Sequence, residues 1–422
     1  MAIFGCVADD FTGAGDAASF LVKGGLPTQL FNGIPKEGDK VLPGVQAIVI
    51  ALKTRTQETT SAVEDTMKAL LWMGEQGVEH FYLKYCSTFD STREGNIGPI
   101  ADRAMELTGS KLSLLCPSLP VNGRTVKDGC LYVNGVPLQE SPMKNHPLTP
   151  MWDCRIQELM KDQSIYPCKI MDRSWFEKDL EEVAQAFEGE KRTYLIPDYE
   201  KDEDGEKIAA MFYNLPLLTG GSGLLEPLAR LHAAKLGISG ESAVPESTTK
   251  GGAFMVAGSC SKATLGQIKY FQEQGGLSCR IDPVAMAEGK ESVEDVWSFI
   301  KEHQDHPVLV YSSDTADNVK KVQEMGRERI ASMLEQASAA LAKKAVEAGM
   351  TRIIVAGGET SGAVTKGLGF DSYRIGESVA PGVPIMIPAG REDIRLVLKS
   401  GNFGQEDFFT KVLEMTEKKE GK

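Results

Sequence analysis

Short apolar runs alternate along the chain with stretches that repeat every three to four residues, and polar, glycine-rich turns separate them. Ile3–Ala8 reads as a first strand and Gly13–Lys23 as a helix closed by Gly24-Gly25. Ala47–Ala51 is a second buried-strand candidate. Ser61–Met73 carries Val63, Met67 and Leu70 on one helical face and ends at Gly74. Phe81–Tyr85 and Leu112–Cys116 read as further strands, with a helix around Ile100–Leu107 between them. This βαβ order predicts an α/β fold with a mostly parallel sheet flanked by helices. One insertion departs from it: in Leu131–Leu138 the pair Asn134-Gly135 stands between apolar residues, a strong hairpin signal.

Gly237–Gly252 is polar, rich in Gly and Ser, and reads as a linker. A second alternation follows: strand Ala253–Ala257, helix Lys262–Gln272, strand Pro307–Tyr311. Asn318–Ala348 is a long helical pattern with a break expected near Gly326. Strand Arg352–Ala356, a helix from about Thr360 and a closing strand Ile394–Leu398 complete it. The expected organisation is a first domain over residues 1–236, a hinge over 237–251 and a second domain over 252–422, each with a mostly parallel sheet. No internal repeat or low-complexity tract is evident.

The 422-residue length leaves room for two domains. Net charge is −13, which argues against a nucleic-acid partner, so an anionic ligand would need a local site of cations and backbone amides. No apolar stretch is long enough to span a bilayer, and the first residues lack a signal peptide's basic start and apolar core. Eight scattered cysteines contain no C-x-x-C, which predicts reduced thiols and a cytoplasmic protein.

In doubly wound sheets, ligands bind beyond the carboxyl ends of strands, at helix N-termini. Ala8-Asp-Asp-Phe-Thr-Gly-Ala-Gly-Asp16 occupies such a place. Its glycines allow close approach to a ligand. Asp9, Asp10 and Asp16 could accept a hydroxyl proton, bind Mg²⁺ or hydrogen-bond a polyol, while Asp10 or Thr12 could equally cap the helix. Lys84-Tyr-Cys-Ser-Thr-Phe-Asp-Ser-Thr-Arg-Glu-Gly-Asn96 follows another strand. Its hydroxyls, with Lys84 and Arg93, suit a hydroxylated carboxylic acid. Arg124 follows the next strand and could bind a carboxylate through two parallel hydrogen bonds. His146 lies in an irregular segment after the hairpin, and the other histidines show no zinc spacing.

The second half has two glycine-rich strand-to-helix turns, Val256-Ala-Gly-Ser-Cys-Ser-Lys-Ala-Thr264 and Val355-Ala-Gly-Gly-Glu-Thr-Ser-Gly-Ala363. Each should expose backbone amides at a helix N-terminus, which holds phosphate without a basic patch. Lys399-Ser-Gly-Asn-Phe-Gly404 follows the last strand, and Gly220-Gly-Ser-Gly223 is a further glycine cluster. Neither a Walker A loop nor the dinucleotide fingerprint G-x-G-x-x-G is present, so a dehydrogenase is disfavoured.

The set Ala8–Asp16, Gly221-Ser-Gly223, Gly258-Ser259 and Gly357-Gly-Glu-Thr-Ser361, in that order over nearly the whole chain, resembles the four-carbon acid sugar kinase family. The resemblance implies an N-terminal sugar-acid-binding domain, a C-terminal nucleotide-binding domain, and transfer of the ATP γ-phosphate to a terminal hydroxyl. Lys84–Thr92 and His146-Pro-Leu-Thr-Pro-Met151 look like the branch that acts at the 4-hydroxyl of 3-oxo-tetronates. Threonate and erythronate kinases, the alternative, typically show K-x-D-S-T-x-R-G-N; here Glu94 stands in the arginine's place and Arg93 one residue earlier. The resemblance places ATP at Ser259, Gly357, Gly358, Glu359, Thr360, Ser361 and Gly401 or Gly404. It places substrate at Asp9, Asp10, Thr12, Asp16, Lys84, Ser87, Asp90, Ser91 and Arg124, with His146 as a further candidate. Asp10, or else Asp9 or Asp16, is the expected catalytic base. The cofactor expected is ATP with Mg²⁺, whose ligands the sequence does not identify. The partners are the sugar acid and ATP, with a homodimer left open. A sensor that binds the acid without turning over ATP is the rival from another class.

Overall fold

The computed structural model describes residues 2–146, 148–187, 189, 192–238, 244–314 and 326–418. The chain divides into two units, Met1–Val244 and Pro245–Lys422.

In the first unit the elements β1 (Phe4–Ala8), α1 (Phe11–Lys23), β2 (Thr28–Asn32), β3 (Ala47–Ala51), α2 (Thr59–Glu75), β4 (His80–Lys84) and α3 (Ile97–Thr108) come first. Next are β5 (Leu112–Leu114), the meander β6 (Arg124–Lys127), β7 (Cys130–Val133) and β8 (Val136–Pro137), and α4 (Ile156–Met160). The unit closes with β9 (Cys168–Met171), α5 (Leu180–Phe187), β10 (Thr193–Pro197), α6 (Asp202–Phe212), β11 (Leu217–Gly220) and α7 (Leu225–Leu236). Strands β11, β4, β1, β3 and β2 lie side by side in that order, all parallel. Strands β5, β10 and β9 form a second parallel set.

β1 and β3 are buried along their whole length, which explains why they read as unbroken apolar runs. Ile48 and Ile50 pack into one core with Leu70 and Met73 of α2. That helix begins two residues before the sequence-based boundary and runs through Gly74 to Glu75, with Glu58 capping its start. The hairpin forms where Asn134-Gly135 predicts it. Both residues have positive φ, 52° and 78°, as a two-residue type I′ turn needs.

The cysteine expectation requires a correction: Cys130 and Cys154 form a disulfide, and six thiols are free. Leu131 N–H donates to the Cys154 carbonyl at 2.8 Å and Cys130 pairs with Arg155, so the two Cα atoms lie 4.8 Å apart. Their separation of 24 residues conceals this in the sequence.

The second unit holds β12 (Ala253–Ala257), α8 (Lys262–Glu273), β13 (Leu277–Arg280), α9 (Pro283–Ala287), α10 (Val293–Glu302) and β14 (Val308–Tyr311). They are followed by α11 (Arg327–Glu347), β15 (Arg352–Ala356), α12 (Gly358–Leu368), β16 (Ser372–Ala380), β17 (Val383–Pro388), β18 (Arg395–Lys399) and α13 (Phe408–Thr416). Its strand order is β16-β17-β18-β15-β12-β14-β13. The five from β18 to β13 are parallel, and β16–β17 and β17–β18 are antiparallel. The long pattern expected from Asn318 begins in the structure at Arg327, after Gly326 with φ 109°; its residues 318–325 lie outside the described residues. Of the expected hinge, 239–243 lie outside them too. Thr249 is bonded within the second unit, its N–H to Thr416 and its hydroxyl to Asp393.

Candidate active site

β1 stops at Ala8 because Asp10 turns the chain into α1. Its carboxylate accepts from the Gly13 amide at 2.5 Å, a standard N-cap, and its backbone carbonyl accepts from Ala14. A side chain at position 13 would press on that carboxylate and on the Lys84 ammonium, 2.7 and 2.9 Å from its first carbon. The parallel register sets Ala8 opposite both Ala51 and Lys84, so the ends of β1, β3 and β4 deliver their next residues to one place.

From β3 comes Arg55. Its Nε donates to Asp9 Oδ2 at 2.8 Å, and a terminal nitrogen reaches Asp9 Oδ1 at 2.9 Å and Asp10 Oδ2 at 2.8 Å. From β4 comes Lys84, 6% exposed, donating to the Tyr85 carbonyl at 3.0 Å. Burial opposes the Lys84 charge, yet Asp9, Asp16 and Asp10 together outweigh it and raise its pKa. Burial also raises Asp9 and Asp16, against the pull of Arg55 on Asp9 and of Lys84 and Ser222 on Asp16. Asp16 accepts from the Ser222 hydroxyl, which links α1 to the Gly220–Gly223 turn. Side chains at Gly220, Gly221 and Gly223 would collide with the carbonyls of Cys116, Pro117 and Ser118, so glycine is what lets that turn close onto the loop after β5.

The loop after β4 is held in an unusual shape. Phe89 is fully buried with φ 59°, costly for a bulky side chain. Asp90 and Ser91 are buried, Asp90 accepting from Thr88 and Ser91 bonding Gln163, while Ser87 is partly exposed. Thr12 lies in the first turn of α1.

Other candidates stand apart from this cluster in their bonding. Arg124, at the start of β6, donates to the Asn122 carbonyl. His146 Nδ1 accepts from the Thr149 amide at 3.1 Å and meets its hydroxyl at 2.8 Å. Among the described residues, no hydrogen bond or ion pair joins either to Asp9, Asp10 or Asp16. Arg93 pairs with Asp162 at 2.8 Å and lies over the Trp152 ring, 5.1 Å from its centre. Among the described residues no hydrogen bond or ion pair joins it to Asp9, Asp10 or Asp16.

In the second unit three turns converge past the adjacent strands β18, β15 and β12. A side chain at Gly258 would strike the Thr360 hydroxyl, and one at Gly401 would strike the Ser259 hydroxyl. Gly357, at φ 138°, could not be another residue without strain, and its N–H bonds the Lys399 carbonyl. Gly358, Glu359 and Thr360 open α12, so their amides have no intrahelical acceptor. The amides of Gly401, Asn402 and Gly404 likewise have no acceptor among the described residues. Ser361 is 6% exposed and its hydroxyl has no partner among the described residues. Buried hydroxyls are normally paired, so an orphan beside free amides fits a phosphate-bearing ligand. No group of three or more His, Cys, Asp or Glu among the described residues could hold a metal ion.

Sequence reasoning missed Arg55, which belongs to no motif. The signal was its position just past a buried strand predicted parallel to β1.

The molecule is thus a two-part protein with a cluster of aspartates, a lysine and an arginine in one part and a set of amide-bearing glycine turns in the other. Known families share this division. The family model of the sugar-binding N-terminal domain matches residues 4–228, and that of the nucleotide-binding C-terminal domain matches residues 254–409. The chain belongs to this family of four-carbon acid sugar kinases. It is 40% identical to the 3-oxo-tetronate kinase of Pseudomonas fluorescens over 97% of this chain and 96% of that one. It is 38% identical to the 3-oxo-tetronate kinase of Haemophilus influenzae over 96% and 98%. Among solved structures, a Salmonella typhimurium protein superposes with a TM-score of 0.89 at 34% identity, covering 99% of this chain and 100% of that one.

Proposed function

We propose that the protein is an ATP-dependent kinase that phosphorylates the 4-hydroxyl of a four-carbon sugar acid, 3-oxo-tetronate. The observation that carries this reading is the cluster at the ends of β1, β3 and β4, where Asp9, Asp10, Asp16, Arg55 and Lys84 meet within the sugar-binding domain. Kinases ask the protein mainly for positioning and charge neutralisation. Lys84 and Arg55 offer cationic donors to a carboxylate and a keto oxygen, and the aspartates offer acceptors to hydroxyls. Thr12, Ser87, Asp90 and Ser91 add shorter-range polar contacts.

Asp10 is the proposed base. Each oxygen of both carboxylates carries one bond, but a single guanidinium holds both oxygens of Asp9 and only one of Asp10, whose other oxygen accepts from the Gly13 amide. Asp10 is also the more exposed of the two, 36% against 14%. ATP is assigned to the turns bearing Ser259, Gly357–Ser361 and Gly401–Gly404. Mg²⁺, bound with the nucleotide, would supply charge neutralisation at the phosphates, and the described residues offer no ligand cluster of their own for it. The use of ATP as co-substrate supports a cytoplasmic location.

The test is ADP release with ATP and a panel of four-carbon acids. The highest kcat/KM is expected with a 3-oxo-tetronate. Preference for D-threonate or D-erythronate would move the assignment to the hydroxy-acid branch, and ligand binding without ADP release would make the protein a sensor.

A further inference from the structure

Lys399, the last residue of β18, is 2% exposed and makes no ion pair among the described residues. Its Nζ donates to the carbonyls of Ser400 at 3.2 Å and Gly401 at 3.0 Å and to the Thr264 hydroxyl at 3.0 Å, and it lies 5.5 Å from the centre of the Phe408 ring. The Gly401 carbonyl also accepts from Ser261 at 2.6 Å and Thr264 at 2.9 Å. One turn further along α8, the Gln267 amide group donates to the carbonyls of Phe403, Gly404 and Gln405, each at 3.0 Å. Ser261, Thr264 and Gln267 are three residues apart and so share one helical face. The carbonyls of this loop are therefore drawn down onto α8 and Lys399. Because a peptide unit is planar and trans, a carbonyl pointing one way sends the next N–H the other. The amide of Asn402 accordingly faces away from the buried lysine, and it has no acceptor among the described residues.

We propose that Lys399 is a positioning residue for the nucleotide: its ammonium, buried beneath the Ser400–Gly404 loop and aided by Thr264 and Gln267, turns the loop carbonyls inward, frees the amides for phosphate, and sets a positive charge beneath them. The inference rests on the nucleotide assignment above. An unpaired buried ammonium is unfavourable in the empty protein, and a phosphate arriving on the far side of the loop supplies the missing negative charge. Burial lowers the Lys399 pKa to about 8, with no carboxylate or second cation contributing. The groups facing it are the Thr264 hydroxyl of α8, the Phe408 ring of α13 and the two loop carbonyls.

The experiment is calorimetric titration of MgADP into the full chain and into Lys399→Met at pH 7.0 and 9.5, with steady-state kinetics alongside. Methionine keeps the apolar stem and removes the charge and the three donors. Loss of charge-assisted hydrogen bonds should weaken ADP binding about tenfold or more at pH 7.0. KM for ATP should rise in proportion, with KM for the sugar acid unchanged. Wild-type affinity should fall from pH 7.0 to 9.5 as Lys399 loses its proton, and the variant should be weak and flat across that range. Unchanged ADP affinity in folded Lys399→Met, or equal loss of both substrates, overturns the proposal. If Lys399→Met does not fold, Gln267→Leu should show the same selective loss of ADP affinity, and wild-type affinity there overturns the proposal. A wild-type chain that binds no ADP overturns the nucleotide assignment itself, and this inference with it; equal binding by wild type and variants overturns this inference alone.

Discussion

Arg55 grips both carboxylate oxygens of Asp9, at 2.8 and 2.9 Å, and spans to Asp10 at 2.8 Å. This planar, two-toothed grip ties two adjacent aspartates to one cation at the mouth of β1 and opposes the rise that burial causes in the Asp9 pKa. It uses the guanidinium geometry, which an ammonium cannot reproduce.

Arg55→Lys should therefore retain the charge and lose the grip. We expect kcat/KM for the sugar acid to fall about ten- to a hundredfold while nucleotide affinity is unchanged. Steady-state kinetics with each substrate varied in turn check this; an equal effect on KM for ATP would place Arg55 outside the sugar-acid pocket.

Asp10→Asn separates two roles of one side chain. Asparagine caps helices as well as aspartate does, so thermal unfolding should be nearly unchanged. Loss of a general base should lower kcat by about 10²–10⁴-fold, with modest change in ATP affinity. Wild-type turnover in this variant would transfer the proton-accepting role to Asp16 or Asp9.

Ser361→Ala tests the orphan hydroxyl. Removing a buried group that has no partner among the described residues should leave the empty protein as stable as before or slightly more so. Binding of ADP should weaken several-fold, roughly the worth of one hydrogen bond of about 1 kcal/mol. A destabilised variant with unchanged ADP affinity would show that the hydroxyl serves the fold and not a ligand.

His232 supplies a pH dependence independent of the site. It is fully buried among the rings of Phe4, His80 and Tyr213. Burial, then repulsion from His80, lowers its pKa from 6.5 to about 4. The unfolded chain therefore binds the proton first as pH falls. Stability is full above about 6.5 and declines toward pH 4, by up to about 3 kcal/mol from this group. Urea unfolding at pH 7 and 4.5 should show a smaller acid loss in His232→Phe than in the wild type; equal losses would contradict it.

The elements that the sequence reveals best are the fully buried parallel strands. β3, β12 and β15 fall within their expected bounds because both faces are apolar and the run is unbroken. The pair β16–β17 went unseen: β16 mixes buried and exposed residues around a register shift that disrupts its alternation. The site was legible wherever chemistry is concentrated in consecutive residues, as in Ala8–Asp16 and Gly357–Ser361. It was hidden where the fold assembles it. Lys84 reaches the aspartates only through the β1–β4 register, and Arg55 only because β3 lies beside β1. Lys399 was visible as a residue beside a glycine loop, but its burial beneath that loop depends on α8 and Phe408, which local pattern does not report.

The central claim is that main-chain amides in the second unit cradle a nucleotide while the first unit's carboxylates present an alcohol. A crystal structure with ADP bound tests it most directly. The diphosphate should lie against the amides of Gly358–Thr360 and Gly401–Gly404, beside the hydroxyls of Ser259 and Ser361. Density for ADP at any other place, with those amides left to water, would contradict it.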